Sequence, residues 1–215
     1  MTQASHLPPL SPSPRRPLPR RKHHRRRLLL LIIPALFLFA ALYSLALPPL
    51  FAQRGRPTQY QVEAVYLYQF GNFVIWPPQA APPDSFPICI LGHDPFGETL
   101  DSTVTGELIG QTPLKVERLD SAEEARHCRI VYISDTESTQ LTRILDTLRD
   151  SPVLTVSEVP DFASRGGMIQ FLLEDNKVRF EINLATAQKA GLAVSSQLLK
   201  VAASVRGGAG ATVTP

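Results

Sequence analysis

Acidic residues are absent from the first part of the chain: no Asp or Glu occurs before Glu63, although the 215 residues include 19 of them. Eight of the 22 Lys and Arg residues lie between Arg15 and Arg27, so the formal charge of +3 averages two unlike parts. From Gln53 onward there are 14 basic and 19 acidic residues, a net charge of −5. An acidic folded part argues against a nucleic-acid partner, because phosphate contacts need Lys and Arg clustered on the fold itself. Cysteine is scarce. Two residues, Cys89 and Cys128, can build neither a disulfide-dense miniprotein nor a four-cysteine zinc module. Twelve glycines without a triplet period exclude a fibrous repeat. The common catalytic signatures are missing as well. There is no Gly-x-Ser-x-Gly elbow. Gly92 and Gly97 have the spacing of a phosphate loop, but Glu98 stands where its Lys should follow and would repel phosphate. No internal repeat is visible.

What is present first is an address. Residues 1–27 are a basic leader rich in Pro, Arg and His, unable to bury apolar surface and expected to be disordered. Leu28 to Leu47 is an apolar run broken only by Pro34, Tyr43 and Ser44, long enough to span a bilayer. A positive flank before an apolar core is also the pattern of a secretory signal, with the chain beyond it exported. Residues 28–52 therefore read as a signal peptide, with cleavage after Ala46 or Ala52, or as an uncleaved anchor. Pro34 and Pro48-Pro49 suit the signal better than a long span. The remainder divides into one domain, 53–206, of ordinary length, and a loose tail, 207–215.

Within that domain, residues 59–76 predict an amphipathic helix with Val62, Val65, Tyr66, Phe70, Phe73 and Val74 on its apolar side. Pro77-Pro78 stops it. Ile88 to Leu91 is a continuous apolar run, as in a strand buried on both faces. Further strands are expected at 113–119, 129–133 and 153–156, with a short helix over 96–101. Ser121-Ala122-Glu123-Glu124 and Ser134-Asp135-Thr136-Glu137 have capping-box form. The second precedes Leu141, Ile144, Leu145 and Leu148, a clear helical stripe. Residues 168–173 and 178–184 flank a turn and read as a hairpin, and helices are expected around 185–190 and 196–205. Strands alternating with short helices imply an α/β fold: a mixed β-sheet flanked by helices, closing with the hairpin and C-terminal helices.

Candidate chemistry is sparse. His127 beside Cys128 has the residue types of a thiol nucleophile and base, but in an oxidising compartment two cysteines usually pair. A Cys89–Cys128 disulfide is the better reading, with a structural role. His93, Asp94, His127 and Cys128 offer metal-binding atoms, but two separated dipeptides have no recognisable ligand spacing. The loop His93–Phe96 follows the carboxyl end of a strand, where ligands collect in open α/β sheets. Its alternative is a turn with Asp94 capping the next helix. Arg179, Glu181 and Asn183 share the polar face of the hairpin's second strand. His93, Asp94, Phe96, Arg179, Glu181 and Asn183 are thus the candidate ligand- or partner-binding residues. No catalytic residue, metal or cofactor is expected.

A series of segments carries a resemblance. Tyr60-Gln61-Val62-Glu63-Ala64-Val65-Tyr66 leads to Val74-Ile75-Trp76-Pro77, then to Ile88-Cys89-Ile90-Leu91-Gly92-His93-Asp94-Pro95-Phe96-Gly97. Cys128-Arg129-Ile130-Val131-Tyr132-Ile133-Ser134, Val153-Leu154-Thr155-Val156-Ser157, Gly166-Gly167-Met168-Ile169 and Val178-Arg179-Phe180-Glu181-Ile182-Asn183-Leu184 follow. In this order, from about Gln59 to Val205, they resemble the YfiR family of bacterial periplasmic proteins. The resemblance implies a non-enzymatic regulator that binds the periplasmic sensor domain of an inner-membrane diguanylate cyclase and represses it, lowering cyclic di-GMP. It also implies sequestration by a Pal-like outer-membrane lipoprotein, an α/β fold often seen as a homodimer, and a family disulfide at Cys89 and Cys128. Other members resemble periplasmic partners of sensor kinases. The alternative reading is therefore a small-molecule-binding module reporting to a sensor histidine kinase. Two departures stand out. The second cysteine pair tied to redox sensing in some members is absent, and His93 occupies a position where the family often has Asp.

Overall fold

The computed structural model describes residues 57–78 and 84–207. The leader, the signal or anchor segment and residues 208–215 of the tail lie outside the described residues. The first element is helix α1, Gln59–Phe73, opened by a capping box. The Thr58 hydroxyl accepts from the Gln61 amide at 3.3 Å, and the Gln61 side chain accepts from the Thr58 amide at 2.9 Å. Strand β1, Val74–Ile75, follows directly. Then come β2 (Phe86–Leu91), α2 (Glu98–Val104), β3 (Leu108–Ile109), β4 (Thr112–Leu119) and β5 (Ile130–Ile133). The second half runs α3 (Leu141–Leu148), β6 (Leu154–Ser157), β7 (Ile169–Glu174), β8 (Lys177–Asn183), α4 (Leu184–Lys189), β9 (Ala193–Val194), α5 (Ser196–Val201) and β10 (Ser204–Arg206).

Eight strands form one mixed sheet in the order β10-β8-β7-β6-β5-β2-β4-β3, and β1 pairs with β9 in a separate ribbon. The strands from β7 through β6, β5 and β2 to β4 are parallel. The chain leaves β2 for β4 on one side and then crosses to β5 on the other, so it reverses direction between β2 and β5. That is the switch point at which doubly wound sheets place ligands, beyond the strands' carboxyl ends. β2, β5 and β6 are buried along their whole length, which explains the apolar runs of β2 and β5; in β6 Thr155 and Ser157 are buried with their hydroxyls hydrogen-bonded.

Alternate residues feed two cores. Ile88, Ile90, Ile130, Tyr132, Leu154 and Val156 pack on the face covered by α1 and α2. Cys89, Leu91, Val131 and Ile133 pack with Leu141, Ile144 and Leu148 of α3 on the other. Cys89 and Cys128 are joined in this second core with Cα atoms 6.1 Å apart, tying β2 to the residue two before β5. The β7–β8 hairpin turns at Asp175 and Asn176, both with positive φ (48° and 60°), the two-residue turn that suits strand twist.

Several expectations need correction. The first helix ends at Phe73, because Val74 and Ile75 pair with Val194 and Ala193. Its buried side is Glu63, Ala64, Leu67, Phe70 and Gly71, while Val65 is exposed. Apolar residues occur on every side of this helix, so the pattern alone did not fix its rotation. The helix expected over 96–101 spans Glu98–Val104. Ser121 and Ser134 precede single 3-10 turns, and α3 begins separately at Leu141. The last helix stops at Val201, and Ser204–Arg206 instead pair in parallel with Glu181–Asn183 of β8. Among the described residues no helix is long and apolar enough to cross a membrane.

Candidate functional site

The carboxyl ends of the central strands carry a cluster of buried and half-buried polar groups. Glu63, in the second turn of α1, is only 1% exposed. One of its oxygens accepts from the Gln59 side chain at 2.9 Å; the other is buried with no partner. The same Gln59 amide donates to Glu158, just beyond β6, at 3.1 Å. Glu158 also accepts from the hydroxyls of Tyr132 (3.1 Å) and Tyr60 (3.4 Å). Two carboxylates thus share one amide, and neither is in an ion pair with Lys, Arg or His among the described residues. Phe96 closes the group, edge-to-face on Tyr132 at 4.8 Å and on Tyr60 at 5.9 Å.

Burial, reinforced by the charge of Glu158, raises the Glu63 carboxyl to about 7, while the bond from Gln59 opposes the rise. Burial and then the Glu158 charge raise the hydroxyls of Tyr60 and Tyr132 as well. Glu63 thus keeps its proton to higher pH than an ordinary Glu, and it sits where α1 meets the ends of β5 and β6. Sequence reading missed Glu63 and Glu158. The available signal was Glu63 in register with Leu67 and Phe70, a charge on an apolar stripe.

The sequence-selected residues are spread around this cluster. Phe96 is a core residue, 4% exposed. Asp94 accepts from the amides of Phe96 (2.8 Å) and Gly97 (3.1 Å), a local turn leading into α2. Its second oxygen takes two bonds from Arg118, which also grips Asp101 and the Gly97 carbonyl. That network lowers Asp101 and holds Arg118 charged. His93 is exposed, its amide held by the Thr136 hydroxyl at 3.2 Å. Gly92 needs its positive φ of 87°, and an added Cβ would lie 2.7 Å from the Thr136 hydroxyl.

Arg179, Glu181 and Asn183 do not form a common solvated face. Arg179 is exposed, whereas Glu181 is 7% exposed, accepting from Ser204 at 3.0 Å and Arg206 at 3.2 Å. Asn183 caps α4 by accepting from the Thr186 amide at 3.1 Å and donates to the Ala163 carbonyl at 2.8 Å. β10 covers this edge and supplies both side-chain donors to Glu181, whereas Asn183 is partnered by the start of α4 and the Ala163 carbonyl. Near the disulfide, ligand atoms of Cys89, His127 and Cys128 lie within 4.8 Å of one another, but both sulfurs are committed to their mutual bond. His127 pairs with Glu117 at 2.8 Å. A pocket of about 190 Å³ lies beyond the ends of β2 and β4, lined by Leu91, Ser121, Glu123, Glu137, Gln140 and Arg143 among others.

Two solved structures overlap this chain in part. A conserved domain protein from Vibrio cholerae O1 biovar El Tor str. N16961 is 10% identical, with a TM-score of 0.49, over 69% of this chain and 60% of that one. An ABC domain in complex with L-Trp from Streptococcus pneumonia is 12% identical, with a TM-score of 0.46, over the same shares. The chain thus covers about 60% of the length of each, and at this identity and overlap neither speaks to function. The family model described as YfiR/HmsC-like matches residues 60–203, from the first turn of α1 to the residue before β10. The match takes in α1 beyond Gln59, the disulfide, both cores and the two carboxylates Glu63 and Glu158, and the chain belongs to the YfiR/HmsC-like family.

Proposed function

We propose that this protein is a periplasmic, non-enzymatic regulator that binds the sensor domain of an inner-membrane diguanylate cyclase and represses it, lowering cyclic di-GMP. The family match over residues 60–203 carries this reading, since the family points to periplasmic regulators in cyclic di-GMP signalling. In this reading residues 28–52 direct export and 53–206 act as one domain. A Pal-like outer-membrane lipoprotein competes for the domain, and a homodimer is one state in which it acts. Repression by binding requires only that one state of the cyclase be bound more tightly than the other. Of the residues offered for partner contact, His93 and Arg179 keep exposed side chains and are the first to substitute.

The test is recovery of membrane partners on the tagged protein, read by mass spectrometry, with cyclic di-GMP measured in a deletion strain. A co-purifying diguanylate cyclase and a rise in cyclic di-GMP on deletion support the proposal. A sensor kinase in its place, with cyclic di-GMP unchanged, overturns it. That outcome supports the ligand-reporting module, which the pocket beyond β2 and β4 favours.

A further inference from the structure

At the amino end of the sheet lies a second unmatched group, of opposite sign. Arg129 directly precedes β5. Its amide donates to Pro87 and its carbonyl accepts from Leu154, both at 2.9 Å, so the backbone is fixed between β2 and β6. The side chain is buried, with its guanidinium carbon 5.7 Å from the centre of the Trp76 ring and 5.9 Å from that of Phe86. Trp76 and Phe86 meet edge-to-face at 5.2 Å, making an aromatic slot around the cation. Arg129 Nε, Arg129 Nη1 and Trp76 Nε1 are all buried, and none has an acceptor among the described residues.

Ring faces attract a guanidinium but accept its hydrogen bonds poorly. Two other arginines with well-placed carboxylates show the contrast: Arg118 is paired with Asp94 and Asp101, and Arg206 with Glu181. Arg129 has no carboxylate in ion-pair reach among the described residues. Burial lowers its guanidinium, as expected for a cation removed from water without a counter-charge. Two buried donors on a cation call for acceptors that bring negative charge, and the Trp76 indole, which can only donate, adds a third buried donor on the ring beside it. Metal ions and amines are the wrong class. We propose that Arg129 and Trp76 form a receptor site for a small oxyanion, a carboxylate or a phosphate. The Phe86 and Trp76 rings hold the guanidinium in place for it. This site is independent of the cyclase reading.

Trp76 is the only tryptophan in the chain, so its emission reports directly on the site. The full chain, expressed with its own leader and purified from the envelope, is titrated with sodium acetate and separately with sodium phosphate. Ionic strength and pH are held constant by exchange against chloride. The expected result is a saturable change in Trp76 emission with a matching rise in unfolding temperature. The anion giving the tighter response names the source, carboxylate or phosphate. Arg129→Met, which fills similar volume without charge, is expected to weaken binding at least about tenfold, and Arg129→Lys to restore part of it. Trp76→Phe, read by unfolding temperature alone, is expected to weaken binding several-fold and keeps the test open should Arg129→Met fail to fold. No saturable response to either anion, or an undiminished response in Arg129→Met or Trp76→Phe, overturns the proposal.

Discussion

Replacing Glu63 by Gln should make the protein more stable at neutral pH and leave it unchanged in acid. The folded protein holds this carboxyl at about 7 against 4.5 for an ordinary Glu. Between those values the folded state keeps a proton that the unfolded chain has released. Stability therefore falls as pH rises through the window and stays at its lower level above it. At about 1.4 kcal/mol per pH unit, the gap is worth about 3 kcal/mol, an upper figure for a group that water reaches on opening. The introduced amide keeps an oxygen for the Gln59 side chain and carries no charge toward Glu158, so it removes the slope. Titratable groups around the site are Tyr60, Tyr132, Glu158 and Asp135, and the substitution leaves them in place. The assay is urea unfolding of both proteins at half-unit steps from pH 4 to 8. The difference should be near zero at pH 4.5, grow steadily, and level off above pH 7 at about 3 kcal/mol in favour of Glu63→Gln. A difference that is constant across the range would refute the buried, uncompensated carboxyl.

Three further outcomes follow from the geometry. Reducing the Cys89–Cys128 bond, which closes a separation of 39 residues, should cost about 4 kcal/mol on the chain-entropy account, seen as a lower urea midpoint in dithiothreitol; an unmoved midpoint would contradict it. Gly167→Ala places a methyl against the buried Phe162 ring, well inside van der Waals contact, and should destabilise by about 2–3 kcal/mol in thermal unfolding, with Phe162→Leu in the same chain recovering part of the loss. Removing both Ser204 and Arg206 side chains strips the buried Glu181 carboxylate of its two side-chain donors and should cost about 1–3 kcal/mol, less in a chain that also carries Glu181→Gln. Equal losses with and without Glu181→Gln would show that β10 acts through its backbone alone.

The strands at the sheet's centre were readable because burial on both faces writes itself as an unbroken apolar run in Ile88–Leu91 and Ile130–Ile133. The α3 stripe was equally plain, since Leu141, Ile144 and Leu148 face one core and charged neighbours face water. Other features depend on distant partners. Ser204–Arg206 follow a capped helix and become a strand only because β8 offers its edge. Val74 and Ile75 are strand only opposite Ala193 and Val194. The same holds for the polar clusters. Glu63 and Glu158 are far apart in sequence and meet through one Gln59 side chain, while Arg129 faces rings from two separate segments. His93 and Asp94 were selected for a position beyond a strand end that proved correct, but Asp94 is committed to the loop and to Arg118.

The reversal of chain direction between β2 and β5 has a kinetic side. β5 pairs with β2 on the side opposite β4, so this central pairing of the sheet joins residues distant in the chain. Such pairings are slow to find, because the connecting loop loses its freedom before any contact compensates. Cys89 and Cys128 lie at that seam. Once formed, the bond holds the two segments together and shortens the loop that their pairing must close. The same covalent link that stabilises the finished sheet thereby makes the speed of its assembly depend on the thiol oxidants present where the chain folds.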